Sequence, residues 1–143
     1  MGINLYETRE DLERESELAG IAEICFQVQM HKLPPSHGID YAATRDGKLV
    51  AFLELKTRRF PFNQYPTTVI NFKKFCRLCE YSDAAGVSPC LLIKWSDQVR
   101  YLVLDKDARA SAVHKWGGQT TNPRDEEDLQ VMTHFSISLF KKC

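Results

Sequence analysis

The sequence has no uninterrupted apolar run of the roughly 18 residues that a membrane-spanning helix needs, although 43% of its 143 residues are hydrophobic. Its first ten residues, MGINLYETRE, contain neither a basic start nor an apolar segment, so we expect no secretory signal peptide. It also lacks a glycine-rich phosphate-binding loop and a glycine-rich dinucleotide fingerprint. These absences argue against a membrane protein and the common nucleotide-binding classes, and they predict a soluble, cytoplasmic protein.

Cysteine pairs of the kind that bind zinc are also scarce. Cys76 and Cys79 have the spacing of half a zinc site. Cys90 or His114 would have to complete it, but the sequence contains no second CxxC and no HxxxH pattern. Because Cys76 and Cys79 fall on the apolar stripe of a predicted helix, we expect both to pack in the core. Five cysteines, an odd number, in a chain without a signal peptide predict reduced thiols.

The sequence does contain a separation of charge along a chain whose formal net charge is zero. Residues 1–30 hold seven acidic and two basic side chains, a net charge of −5. Residues 45–77 hold eight basic and two acidic side chains, a net charge of +6. A basic middle section is typical of proteins that bind a polyanion such as nucleic acid, and it is equally consistent with an ordinary solvated surface.

Apolar periodicity and turn residues divide the chain into helices and strands. We predict, in order, a helix at 8–31, a hairpin of strands at 38–44 and 48–57, a helix at 68–85, a hairpin of strands at 90–95 and 99–104, a polar loop at 117–128 and an edge strand at 134–140. This order predicts one domain, residues 1–143, of the α/β class: a single mixed β-sheet flanked by helices. Its core would span about residues 10–105, and residues 106–143 would add a loop and the edge strand.

The first hairpin determines which charged side chains share a face of the sheet. Its turn contains Asp46-Gly47. A two-residue turn would place Asp40 and Glu54 on opposite faces, whereas a three-residue turn that starts at Arg45 would place them on the same face. We predict the three-residue turn, with Asp40 opposite Phe52 and diagonal to Glu54. Diagonal neighbours are roughly 7–8 Å apart at the backbone, which allows two carboxylates to bind one cation.

The two helices carry further charged residues. Glu17 lies at the edge of the apolar stripe of the first helix, so we expect it at the rim of the core. The predicted buried stripe of the second helix consists of Phe72, Phe75, Cys76, Cys79 and Ser82. The basic residues of that helix, Lys73, Lys74 and Arg77, are predicted to point away from the stripe.

The order of Glu17 on a helix, Asp40 on one strand and Glu54-Leu55-Lys56 on the next resembles the PD-(D/E)XK nuclease superfamily. The resemblance covers roughly residues 10–105. Ile39 stands where the motif has proline, a substitution that the superfamily tolerates. The resemblance implies a restriction-endonuclease-like core of α-β-β-α-β order, similar in size to the compact resolvase-like and phage-type members.

The resemblance also implies an activity: a nuclease, expected to be an endonuclease, that hydrolyses phosphodiester bonds of double-stranded or branched DNA in recombination, repair or phage DNA metabolism. Cleavage needs an activated water and neutralised phosphate charge, which a hard divalent cation held by carboxylates supplies. Mg²⁺ or Mn²⁺ would be bound by Asp40, Glu54, the carbonyl oxygen of Leu55, and Glu17. Similar cores often form homodimers, so a homodimer is also suggested.

The remaining roles implied by the resemblance belong to basic residues. Lys56 would contact the attacking water or the scissile phosphate. Backbone phosphates would be held by a basic flank that consists of Arg58, Arg59, Lys73, Lys74 and Arg77. Lys73 or Lys74 occupies the place of a polar helix residue that assists catalysis in many members.

Three other interpretations remain open from the sequence. A non-catalytic module that retains the nuclease fold would bind nucleic acid in a salt-sensitive way without cutting it. A protein-interaction domain would use Phe60, Phe62 and Tyr65, in the loop after the motif, as an exposed patch. Finally, Glu54 and Lys56 could be solvated residues of a half-exposed strand.

Overall fold

One long strand, Lys48–Thr57, organises the chain in the computed structural model, which describes residues 9–117 and 130–143. The elements follow the order α1 (Arg9–Phe26), β1 (Gln29–Lys32), β2 (Tyr41–Arg45), β3 (Lys48–Thr57), β4 (Thr67–Asn71), α2 (Phe72–Ala85), β5 (Ser88–Lys94), β6 (Val99–Val103), α3 (Lys106–Ser111), β7 (Val113–Trp116), β8 (Val131–Ser136) and β9 (Lys141–Lys142). Apart from Gly117, the predicted polar loop at 117–128 lies outside the described residues.

The main sheet has six strands in the order β1-β2-β3-β5-β6-β9. β3 and β5 run parallel and the other neighbours run antiparallel, so the sheet is mixed. The two long helices pack on opposite faces. Leu18 and Ala22 of α1 share an apolar cluster with Leu53 of β3, whereas Leu78 of α2 shares a second cluster with Leu91 of β5. The predicted α/β class, a mixed sheet flanked by helices, is confirmed.

A second, three-stranded sheet in the order β4-β8-β7 contacts α2 and was not predicted. Residues 68–71 were predicted to start the second helix, but the β-branched run Thr-Thr-Val-Ile at 67–70 favours a strand. The side chain of Asn71 accepts a hydrogen bond from the Lys73 N–H at 2.7 Å and caps α2, so the helix begins at Phe72. β8, predicted as an edge strand, is the central strand of this sheet.

The first helix is shorter than the predicted helix at 8–31. It ends at Phe26, because Gln27 adopts a positive φ of 54°, and residues 29–32 form β1 instead. The guanidinium of Arg45 donates to the carbonyl oxygens of Phe26 and Gln27, at 2.8 and 3.2 Å, and so satisfies carbonyl groups at the end of the helix.

The cysteines divide into one bonded pair and three free thiols. Cys25 and Cys143 form a disulfide that joins the end of α1 to the end of the chain, so the prediction of reduced thiols is wrong for this pair. Cys76, Cys79 and Cys90 are free. Cys79 is buried in the cluster under α2, as predicted, and burial raises the pKa of the Cys90 thiol to about 12. Within the described ranges, no helix is both long and apolar enough to span a membrane.

Candidate active site

The turn between β2 and β3 differs from the prediction. Arg45 pairs with Lys48, so only Asp46 and Gly47 form the turn. Both residues have positive φ angles, 52° and 77°, as the tightest hairpin turns require. The predicted three-residue turn, which included Arg45, is therefore wrong.

A β-bulge nevertheless places the two acids on the same face. Thr44 pairs with Leu49 and Ala43 pairs with Ala51, so Val50 is an extra residue in the ladder. Beyond the bulge, Tyr41 pairs with Leu53. One further step in this register brings Asp40 directly across from Glu54, rather than across from Phe52 as predicted.

The carboxylates of Asp40 and Glu54 meet at one ammonium group. The Lys74 Nζ lies 3.6 Å from Asp40 Oδ1 and 3.1 Å from Glu54 Oε2. Asp40 Oδ2 accepts a hydrogen bond from the backbone N–H of Leu55 at 3.1 Å, which fixes its orientation. Lys56 Nζ lies 3.3 Å from Glu54 Oε2. The structure thus brings together the acid pair and two lysines between β3 and α2.

The electrostatics of this cluster are dominated by the burial of Glu54, which is 1% exposed. Burial raises the pKa of Glu54, and the Asp40 carboxyl adds to that shift, while Lys56 and Lys74 oppose it. Burial alone would lower the pKa of Lys74, but Glu54 and Asp40 outweigh that effect and raise it. The carboxylates therefore keep Lys74 protonated, and the lysines provide the charge that a buried carboxylate needs.

The donor atoms fit a hard divalent cation. Glu54 Oε2 is buried and forms ion pairs with the ammonium groups of Lys56 and Lys74, but neither contact has the geometry of a hydrogen bond. This oxygen can therefore also bind a metal ion. The N–H and C=O of one strand residue point the same way, so the Leu55 carbonyl faces the side on which Asp40 lies. The part of the chain that the structure describes holds no cluster of three or more acid, histidine or cysteine ligands. One or two carboxylates with several waters is the usual set for Mg²⁺.

Glu17, the fourth predicted ligand, does not join the acid pair. Its side chain is 61% exposed, and its Oε1 lies 3.1 Å from Lys94 Nζ. The metal contact of Glu17 stays a prediction that no distance supports. Glu15 has the stronger electrostatic link to the site: it is 15% exposed, pairs with Lys32, and its charge contributes to the raised pKa of Lys74.

The signal that would have favoured Glu15 lies in the small residues of α1. Glu15 shares a helix face with Leu18, Ala19 and Ala22, at spacings of three, four and seven residues, and these three residues are buried. The predicted apolar stripe, in contrast, consists of Leu18, Ile21, Ala22, Cys25 and Val28, and Glu17 lies at its edge. Ile21 and Cys25 are only partly buried, so the buried face lies closer to Ala19 and Glu15 than predicted.

The predicted basic flank separates into inward and outward side chains. Lys74 was predicted to point away from the core and instead reaches the acids. Arg58 is half-buried and donates to the carbonyl oxygen of Val69 at 2.8 Å, which ties β3 to β4, and burial lowers its pKa. Arg59, Lys73 and Arg77 are exposed. These three are the most exposed members of the flank, so they can contact backbone phosphates without moving.

Comparisons with known proteins agree with this geometry. The family described as "Phage putative PDDEXK endonuclease" matches residues 3–143. The structure of Hjc, a Holliday junction resolvase from the archaeal hyperthermophile Archaeoglobus fulgidus, is similar at a TM-score of 0.57 and 8% sequence identity, over 90% of this chain and 91% of that chain. At this identity the likeness shows the fold alone, and a search of curated proteins finds no match. The predicted PD-(D/E)XK membership is confirmed: this chain belongs to the family described as "Phage putative PDDEXK endonuclease".

Proposed function

We propose that this endonuclease cleaves DNA with the help of one Mg²⁺ or Mn²⁺ ion bound by Asp40, Glu54 and the carbonyl oxygen of Leu55. The supporting observation is that a single cationic nitrogen, Lys74 Nζ, already lies within 3.6 Å of both carboxylates. A point that accommodates one cation between two carboxylates suits a cation of higher charge even better, because the attraction scales with the charge.

Each residue around this point has a distinct task. The bound cation would neutralise charge on the scissile phosphate and activate a water molecule. Asp40 presents one fixed oxygen, because its other oxygen is held by the Leu55 N–H. Lys56 is 29% exposed, so its ammonium can contact both Glu54 and an incoming phosphate or water. A lysine held this way can orient the nucleophile and stabilise charge in the transition state.

DNA as the substrate is supported by the exposed basic residues and by the fold. Three basic residues are exposed on or next to the elements that carry the cluster: Arg59 follows β3, and Lys73 and Arg77 lie on α2. From these positions they can bind backbone phosphates. Arg77 packs its aliphatic stem near Gly38, two residues before Asp40. The similar fold of a Holliday junction resolvase makes four-way junctions a substrate to test. A homodimer that cuts two strands is part of the same proposal.

The assay compares supercoiled plasmid and four-way junction DNA, each incubated with the protein and Mg²⁺ or Mn²⁺. We expect cleavage by the wild type and its loss in Asp40→Asn and Lys56→Met. Glu80→Gln and Lys106→Met serve as charge-matched controls, because both residues are exposed and outside the acid pair. Equal cleavage by the wild type, Asp40→Asn and Lys56→Met would exclude this site, and cleavage unaffected by chelation would exclude the metal.

The alternative of a protein-interaction patch has less support. Phe60 and Phe62 are only partly exposed and pack against the core, and the ring of Phe62 meets that of Trp95 at 4.9 Å between centroids. Of the three aromatic residues, only Tyr65 is largely exposed, at 51%. A single exposed tyrosine is ordinary for a protein surface.

A further inference from the structure

Lys74 occupies the position where the proposed cation would bind. Its Nζ contacts both Asp40 and Glu54, whereas the Nζ of Lys56 contacts Glu54 alone. Two carboxylates and two ammonium groups give this cluster a formal charge of zero. Addition of a divalent cation would leave an excess of two positive charges in a largely buried site, unless one ammonium group moves away.

We propose that Lys74 is the counter-ion of the metal-free site, that a divalent cation must displace its ammonium group to bind, and that the displaced group then contacts a phosphate of the substrate. This inference rests on the proposed function, since it concerns the same acid pair. It assigns Lys74 a role different from that of Lys56, because Lys56 forms an ion pair with Glu54 but not with Asp40.

Three structural features support displacement. Glu54 is almost fully buried, so the metal-free protein needs a cation beside it. The side chain of Lys74 is 37% exposed, so its ammonium group has a path into solvent. Lys74 is also the third residue of α2, where the helix dipole disfavours a cation. The carboxylates therefore hold the Lys74 ammonium group in place. When the carboxylates bind a metal ion instead, the ammonium group loses these favourable contacts.

Displacement would couple metal binding to DNA binding. Once released, the Lys74 ammonium needs a new anionic partner, and the phosphates of the substrate supply one. Substrate should therefore strengthen metal binding, and metal should strengthen substrate binding by the same factor. Without DNA, Lys74 would keep Asp40 and Glu54 together and would compete with the divalent cation that cleavage needs.

The first test is a calorimetric titration of the full-length chain with Mn²⁺ in the absence of DNA. We expect Lys74→Met to bind Mn²⁺ roughly tenfold more tightly than the wild type, because removal of one competing ion pair of ordinary strength gives an effect of this size. Lys106→Met is the matched control: it removes one lysine at the start of another helix, α3, and should leave the affinity unchanged. Equal or weaker Mn²⁺ binding by Lys74→Met would overturn the inference.

The second test uses the wild type and does not depend on a variant that folds. Acylation of individual lysines, mapped by mass spectrometry, reports how readily each side chain loses its proton and meets the reagent as an amine, and both steps are slowed while the ammonium group is held by carboxylates. We expect Lys74 to react more slowly than the exposed Lys73 without metal, and to react several-fold faster once Mg²⁺ is added, with Lys73 unchanged. A rate for Lys74 that Mg²⁺ does not change, or lowers, would overturn the inference.

Asp40→Asn distinguishes failure of the inference from failure of the proposed function. If the proposed site is correct, Asp40→Asn loses most of its Mn²⁺ affinity whatever Lys74 does. If Asp40→Asn binds Mn²⁺ as the wild type does, the proposed metal site fails. If Asp40→Asn loses binding while Lys74→Met matches the wild type, only the displacement of Lys74 fails.

Discussion

Leu53 and Leu55 point from β3 towards α1, whereas Glu54 and Lys56 point from the same strand towards α2, so two faces of one strand can be compared directly. Leu53 and Glu54 are equally buried, each 1% exposed. Leu53 gains free energy from leaving water, while Glu54 loses its hydration and recovers part of the loss through two ion pairs. Burial therefore adds stability at Leu53 on the α1 face, whereas at Glu54 on the α2 face it costs free energy that the ion pairs only partly recover.

The charged part of the α2 face is short. Phe52, two residues before Glu54 on the same face, packs against Tyr81 with ring centroids 6.1 Å apart. Apolar packing thus continues up to the residue pair that carries the acids. Because the bulge at Val50 shifts the register by one residue, Asp40 meets Glu54 at this boundary, where the core ends and solvent access begins.

The largest effect is expected from a change on the charged face. Asp40→Asn should lower the rate of DNA cleavage by about 10³-fold, the scale reported when one group that stabilises transition-state charge is removed. The amide oxygen of asparagine can still accept the Leu55 N–H, so the fold should be retained. Single-turnover cleavage together with urea unfolding checks both parts. A rate within a factor of three of the wild type would contradict the assignment of Asp40.

The opposite outcome is expected on the apolar face. Leu53→Ala should lower the free energy of unfolding by about 2–5 kcal/mol, since it removes buried methyl groups and leaves a cavity. Cleavage by the molecules that remain folded should be nearly unchanged. Leu49→Ala, on the same strand but 37% exposed, is the control and should cost much less. Loss of cleavage in fully folded Leu53→Ala would show that the two faces are not separable.

A third change tests the tie at the end of α1. Cys143→Ser removes the disulfide to Cys25, which closes a loop with a sequence separation of 118 residues. Disulfides typically contribute about 2–4 kcal/mol to stability, and the chain-entropy estimate for a loop of this length is about 5 kcal/mol. Urea unfolding of Cys143→Ser, compared with the wild type in the presence and absence of a reductant, measures this contribution. The reductant should lower the stability of the wild type to that of the variant and leave the variant unchanged.

The sequence correctly predicted that Asp40 and Glu54 lie on the same face of the sheet. The predicted pairing of the two strands, with Asp40 opposite Phe52, differs from the observed register. Alternation along β3 is a local property, and it correctly groups Glu54 with Lys56. Val50, the extra residue of the bulge, packs against the apolar cluster under α1, a tertiary contact that no local pattern reports. Two errors, a turn one residue too long and an unrecognised bulge, cancelled in their effect on the side of the sheet that Asp40 occupies.

The misassigned charged residues have a similar cause. Lys74 lies four residues before Leu78 and eight before Ser82, which are both buried, so it borders the buried face of α2 and reaches the carboxylates from there. The predicted stripe of α2 included Cys76 and left out Leu78, and so placed Lys74 on the polar side. Glu17 was preferred to Glu15 because the predicted stripe of α1 included Ile21, which is only partly buried, and left out Ala19, which is buried. Helical spacing allows more than one neighbouring stripe on each helix, and tertiary contacts decide which stripe is buried.

The smallest effect on stability is expected at the end of α2, where Asp83 forms an exposed ion pair with Arg109. The ion pair of Lys74 with Glu54, at the start of α2, is buried by comparison. Arg109 donates to both carboxylate oxygens of Asp83, at 2.8 and 2.9 Å, and these hydrogen bonds lower the pKa of Asp83. A carboxylate with a lowered pKa adds stability that is fully present above its unfolded pKa of about 3.9 and is lost as the pH falls through its folded value. Asp83→Asn should therefore be slightly less stable than the wild type at pH 7, and the difference should vanish in acid. A difference that persists at pH 2 would mean that packing, and not the charge, carries the contribution of Asp83.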